Sequence, residues 1–239
     1  MNNILLPAGT AQLPGVFHPA HNHSGKTLII SHGFRGSKDG GGWAIRLAET
    51  IAATGVNVLR YDFTPLQNLS CQIAELTAVV AYSRQTIGGQ LFLLGRSLGG
   101  ATSLAVAATD PTISGLILWA TPWNLSATFR LALGAHYEQL AAGIPLQLTD
   151  EYGDLLLTPE FIQDFAQHNI LAYVQQIKQR PFLILHGTAD NIVPASQAQT
   201  IYKLAAEPKK LILYPDGDHH LSAQSSQVSK DIASWFSNF

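Results

Sequence analysis

Charge is scarce in this chain. Of its 239 residues, 14 are Lys or Arg and 16 are Asp or Glu, a charged share of 13 %, while 46 % are apolar. Soluble domains usually carry about 25 % charge. The combination excludes disorder, which couples low hydrophobicity to high charge. The formal net charge is only −2 and no cluster of Lys or Arg occurs, so the electrostatic footprint that nucleic-acid binding requires is missing and no nucleic-acid partner is expected. Cys71 is the only cysteine. That excludes an intrachain disulfide and a thiolate metal site, and makes a cytoplasmic location the default expectation. Long apolar runs are missing as well. Residues 1–25 lack formal charge, but Pro7, Pro14 and Pro19 interrupt them beside His18, His21 and His23. Residues 111–129 are also uncharged, yet Pro111, Pro122, Asn124 and Ser126 break them. Neither stretch reads as a signal peptide or a membrane span.

What is present is a recurring unit of short apolar run, turn and helical pattern. The runs lie at 27–31, 56–61, 91–94, 115–120, 182–185 and 211–214. Their near-continuous apolar character predicts strands buried on both faces, as in a parallel sheet. Helical stretches at 43–53, 69–86, 98–108, 196–206 and 225–236 alternate with them. The pattern predicts one α/β domain, a mostly parallel sheet flanked by helices, with ligands at the carboxyl ends of the strands. Residues 4–6 and 15–17 are expected to form a leading hairpin at the sheet edge. From 122 to 179 no strand is evident, but Thr158-Pro159-Glu160 resembles a helix start, followed by Phe161, Ile162 and Phe165 at helical spacing. This interval is too long for a plain connection. The expected organisation is a core of 1–121 and 180–239 with a helical lid, 122–179, inserted over the sheet's carboxyl edge.

Gly95-Arg96-Ser97-Leu98-Gly99 fits the pattern G-x-S-x-G, follows the run 91–94 and opens the helical stretch at 98. A nucleophile elbow needs that strand, turn and helix, because the serine sits in a strained turn and the glycines let neighbouring backbone approach. A serine hydroxyl also needs a base, and the base an acid. Both residue types follow in order beyond later strands: His186-Gly187-Thr188-Ala189-Asp190, then Gly217-Asp218-His219-His220.

With Ser31-His32-Gly33-Phe34 and Arg60-Tyr61-Asp62 added, the chain resembles the α/β-hydrolase superfamily. More narrowly, it is similar to lidded esterases, monoacylglycerol-lipase-like enzymes and serine-aminopeptidase-like hydrolases. The matches span nearly all of the chain outside 122–179. The resemblance implies Ser97 as nucleophile, Asp190 as the acid and His219 as the base, with His220 a competitor for His219 and Asp216 and Asp218 competitors for Asp190. In such an elbow the oxyanion donors are the N–H of the residue after the serine, Leu98, and one from the loop after an early strand, here Phe34. The expected activity is cofactor-independent hydrolysis of a small or medium carboxylic ester through an acyl-enzyme, with no metal. Amide, peptide or thioester cleavage by the same residues is the alternative. A peptidase gripping a free amino terminus needs an acidic cluster, for which Asp150, Glu151 and Asp154 are candidates. A non-catalytic ligand binder is the alternative of another class.

The remaining conspicuous residues read more plainly. His32 is expected to brace its loop. Arg96 is expected to pair with a carboxylate such as Asp62, in preference to an acidic substrate. His18, His21 and His23 are expected in a solvated loop, and Gly40 to Gly42 in a flexible one without a phosphate fingerprint. Of Trp119, Trp123, Phe129, Tyr137, Phe161 and Phe165, one or two are expected in an acyl pocket and the others in the core. The interval 122–179 holds Glu138, Asp150, Glu151, Asp154, Glu160 and Asp164 against Arg130 and Lys178, which predicts a locally acidic region above the site.

Overall fold

The computed structural model describes residues 1–150 and 153–238. Its strands are β1 (Asn2–Ala8), β2 (Ala11–His18), β3 (Lys26–Ser31), β4 (Val56–Tyr61), β5 (Gln90–Arg96), β6 (Gly115–Trp119), β7 (Leu146–Asp150), β8 (Gly153–Leu157), β9 (Phe182–Gly187) and β10 (Lys209–Tyr214). Eight of them make one sheet in the order β1-β2-β4-β3-β5-β6-β9-β10. The expected hairpin is present as β1 and β2, whose antiparallel register runs to Ala8 opposite Ala11. β2 is antiparallel to β4, and every later pair is parallel.

The helices are α1 (Trp43–Ala53), α2 (Leu69–Thr86), α3 (Leu98–Thr109), α4 (Leu125–Leu133), α5 (Ala135–Ala141), α6 (Glu160–Gln163), α7 (Ile170–Gln176), α8 (Ala195–Leu204) and α9 (Ser225–Phe236). Strand residues alternate between two cores. Leu91, Leu93, Leu116, Leu118, Phe182 and Ile184 face a core shared with α2, α3, α7 and α8. Phe92, Leu94, Ile117, Trp119, Leu183 and Leu185 face another, shared with α1 and α9. Both faces are therefore covered, which is why these strands carry so little charge. Among the described residues no helix is long and apolar enough to cross a membrane.

β3 lies between β4 and β5, so the chain reverses its direction of travel across the sheet there. Such a switch point opens a crevice at the carboxyl ends of the strands. Ser31 is paired with Gly95 in that register, so the loop after β3 and the turn after β5 emerge side by side.

Between β6 and β9 the chain makes α4, α5, the β7–β8 hairpin, α6, a 3-10 turn at Asp164–Gln167 and α7. The antiparallel hairpin corrects the reading of this interval as strand-free. It was hidden because its apolar residues are leucines rather than β-branched residues, and because Leu155 and Leu157 are buried while Leu156 between them is exposed. The Thr158-Pro159-Glu160 start holds: the Phe161 N–H donates to the Thr158 carbonyl at 3.0 Å, although α6 runs for only four residues. Asn124 and Asn169 cap α4 and α7 by accepting from Ala127 and Ala172 N–H at 3.0 Å each.

Candidate active site

β5 ends at Arg96 and α3 begins at Leu98, leaving Ser97 alone in the turn with φ 52° and ψ −123°. A side chain in that region of backbone space is strained by about 1–3 kcal/mol and persists only when its surroundings enforce it. Here the Ser97 N–H donates to the Trp119 carbonyl at 2.8 Å. The flanking glycines are needed for close approach rather than for unusual dihedrals. A Cβ on Gly99 would stand 2.3 Å from the His32 carbonyl oxygen, and one on Gly33 would stand 2.9 Å from the Ser97 Cβ. The turn and the loop after β3 thus pack backbone to backbone, with Phe34 directly following Gly33 and Leu98 opening α3. The first N–H groups of a helix have no acceptor within it and carry its positive end.

His219, in the loop after β10, brings Nδ1 to 2.8 Å from Asp190 Oδ2 and Nε2 to 3.1 Å from Ser97 Oγ. A carboxylate only accepts, so Nδ1 carries the proton and the Nε2 lone pair faces the serine hydroxyl. Asp190, in the loop after β9, also accepts from the Ile192 and Val193 N–H groups at 3.0 and 2.8 Å through Oδ1. Burial opposes its ionisation. Hydrogen bonds from His186 and His219 outweigh that and hold the carboxyl well below the usual carboxylate range. Sequence reasoning overlooked His186, whose Nε2–H donates to the Val193 carbonyl at 2.7 Å and lies 3.3 Å from Asp190 Oδ2. Its place in His186-Gly187-Thr188-Ala189-Asp190 was the available signal.

The competitors are turned elsewhere. Asp218 Oδ1 accepts from the Ser222 N–H at 3.0 Å, and Asp216 is exposed. His220 Nδ1 accepts from Arg96 Nη2 at 2.7 Å. This corrects the expected pairing of Arg96 with Asp62, which instead accepts from the Lys38 N–H at 2.6 Å and faces Lys38 Nζ at 3.4 Å. Burial pushes Arg96 down to about 10, with Asp190 and Asp218 opposing the shift.

His32 donates Nδ1–H to the Gly33 carbonyl at 2.8 Å and accepts from the Phe63 N–H at 3.1 Å, bracing the loop as expected. Burial lowers its pKa. His18 is not solvated as expected: it is buried and accepts from Arg60 Nε at 2.9 Å. Burial first, then the Arg60 charge, lowers its pKa to about 4. His21 and His23 are exposed, and no metal-binding group of side chains occurs among the described residues. Gly40–Gly42 form a 3-10 turn leading into α1.

Above Ser97 and His219 lies a cavity of about 340 Å³, walled further by Phe34, Phe129, Leu133 and Leu155. Of the six aromatic residues singled out from the sequence, only Phe129 reaches it. Phe161 and Phe165 stand behind Phe129 at ring distances of 5.2 and 4.9 Å, whereas Trp119 packs on Trp43 at 4.6 Å in the other core. Among the described residues the cavity wall holds the cations Arg35 and Arg96 and no carboxylate. Of the expected acidic residues that are described, none lines it: Glu138 pairs with Arg130 in solvent and Asp164 is buried against Ser70. Asp154 lines an adjoining cleft with Asp62 and Gln72, which shares Gly33 to Gly36 with the cavity. The Asp150 side chain and Glu151 lie outside the described residues.

A model of a family described as the prolyl oligopeptidase family matches residues 70–239. The uncharacterised protein YfhR of Escherichia coli O157:H7 is 30 % identical over 218 residues, covering 87 % of this chain and 67 % of that protein. Acetyl esterase Axe7A of Xylanibacter ruminicola is 25 % identical over 141 residues, covering 58 % of this chain and 29 % of that one. Among solved structures, Est1E from Butyrivibrio proteoclasticus superimposes with a TM-score of 0.85 at 21 % identity, covering 100 % of this chain and 98 % of that one. The fold is the α/β-hydrolase fold, as the sequence resemblance implied.

Proposed function

This chain belongs to the prolyl oligopeptidase family of α/β-hydrolase enzymes, and on that premise we propose that it hydrolyses carboxylic esters of small molecules through an acyl-enzyme on Ser97. The observation that carries the reading is the unbroken hydrogen-bonded line from Ser97 Oγ through His219 to Asp190 at the floor of the cavity. His219 takes the hydroxyl proton as Ser97 attacks the ester carbonyl, and Asp190 stabilises the imidazolium that forms. The N–H groups of Phe34 and Leu98 receive the oxyanion, a pair of which each member contributes about 3–4 kcal/mol in comparable sites. His219 then returns the proton to the departing alkoxide and activates a water that releases the acid. No cofactor takes part. Residues 122–179 act as a lid that excludes water from the cavity, and a single cysteine suits a cytoplasmic setting.

Esters are favoured over peptides with a free amino terminus because the described cavity wall presents cations where an ammonium would need carboxylates. The acetyl esterase relative, and a structure of Est1E with ferulic acid bound, support the same class. The test is hydrolysis of 4-nitrophenyl acetate, butyrate and octanoate beside aminoacyl 4-nitroanilides and acyl thioesters. Labelling by a fluorophosphonate separates a hydrolase from a silent binder. Turnover of anilides in preference to every ester, or a Ser97→Ala protein as active as the wild type, would refute the proposal.

A further inference from the structure

Arg96 is the one residue of the elbow whose chemistry the reaction above leaves unused. It is 8 % exposed and sits next to Ser97 in the wall of the same cavity. A guanidinium removed from water is stable only when its donors are met and its charge is countered. Among the described residues Arg96 makes no ion pair: Nη2 donates to a histidine nitrogen, His220 Nδ1 at 2.7 Å, while Nε, also without an acceptor, is closed off from solvent and leaves the rest of the guanidinium to face the cavity. The Trp43 ring, 5.8 Å from Cζ, adds only a cation–π contact. His220, itself in the cavity wall, offers its Nδ1 lone pair to Arg96 and fixes one edge of the fork.

The geometry points to an anion subsite: we propose that Arg96 binds a carboxylate carried by the substrate, so that the enzyme prefers esters that bear a second, ionised acid group. This rests on the ester-hydrolase reading and specifies its substrate class. The guanidinium lines the cavity with no carboxylate paired to it, and a carboxylate on the substrate would supply that counter-charge where a neutral ester supplies none. The acid group can belong to the acyl or the alcohol portion, since Arg96 lies between the nucleophile and the loop that carries His219.

Two matched pairs test it by pH-stat: monomethyl adipate against methyl hexanoate, and 4-carboxyphenyl butyrate against phenyl butyrate. In the wild type one anionic member is expected to exceed its neutral partner in kcat/KM by about 10- to 100-fold, the range for a hydrogen bond to a charged group. Preference in the first pair places the acid on the acyl side, and in the second on the alcohol side. Arg96→Gln is expected to bring that ratio to about 1, and Arg96→Lys to keep part of it. A wild type that cleaves the neutral esters without preferring either anionic partner overturns the subsite and leaves the ester reading standing. Failure on all four esters overturns the ester reading itself. A preference retained in Arg96→Gln also overturns the proposal. Should both variants fail to fold, the wild-type ratios alone decide.

Discussion

Ser70 gives both its backbone N–H, at 2.9 Å, and its hydroxyl, at 2.6 Å, to the buried carboxylate of Asp164, joining the start of α2 to the inserted segment. His168 Nε2 closes the cluster at 2.9 Å from the same hydroxyl. Asp164→Ala takes the acceptor from two half-buried donors at once, of which only the hydroxyl keeps another partner in His168, whereas Ser70→Ala leaves the backbone N–H bond in place; a lost hydrogen bond of this kind costs about 1–3 kcal/mol. Urea denaturation should therefore show Asp164→Ala to be the less stable variant. Hydrogen exchange should rise across 160–176 in both.

Ser97 holds a backbone conformation with φ 52° that glycine adopts without strain. Ser97→Gly is expected to be more stable than Ser97→Ala by about 1 kcal/mol. Chemical denaturation of the two proteins checks this, and neither should react with a fluorophosphonate. Equal stabilities would show that the turn is unstrained.

His219 and His220 are neighbours in the chain with separate partners. His219→Ala should fall at least about 100-fold below His220→Ala in kcat/KM on a neutral ester. Asp190→Asn should lose about 10³- to 10⁴-fold, because the amide no longer enforces the proton on Nδ1. Its carboxyl ionises well below the ordinary range, so the stability it contributes is present above the unfolded carboxylate pKa near 4 and fades as pH falls below that. Acid unfolding of Asp190→Asn should accordingly be less steep there than that of the wild type.

Stability should also drop between about pH 6.5 and pH 4 for a reason outside the site. Folded His18 stays neutral down to about 4, whereas the unfolded chain takes up the proton near 6.5. Across that window the unfolded state binds more protons, so unfolding is favoured as pH falls, by at most about 1.4 kcal/mol per pH unit. His18→Gln keeps an acceptor for Arg60 and should flatten this part of the curve in a series of denaturant midpoints.

The sheet and its helices were legible because a strand buried on both faces leaves a local mark. Val56–Tyr61, Trp43–Ala53 and Leu69–Thr86 fall where apolar run and helical period placed them. The residues for the elbow and its two partner loops were legible as well, since each sits at a strand's carboxyl end. What escaped was partnership across long stretches of chain. Arg96 and His220 are 124 residues apart, and nothing local foretells that the nearer carboxylate, Asp62, is taken by Lys38. His18 looked like one of three loop histidines until the β2–β4 pairing set it beside Arg60. The β7–β8 hairpin escaped because leucine is a better helix former than strand former, and only the burial of alternate residues marks the strand.

The start of β8 is bonded to the loop after β3: Arg35, at φ 53° directly after Phe34, donates Nη2 to the Gly153 carbonyl at 2.9 Å. The inserted segment, proposed as a cover, is thereby also tied to the loop that carries the Phe34 amide. Under the proposed mechanism, exchanging it for a different insertion would change two things together, the shape of the entrance and the aim of the Phe34 amide, so that selectivity and turnover would not be independently tunable.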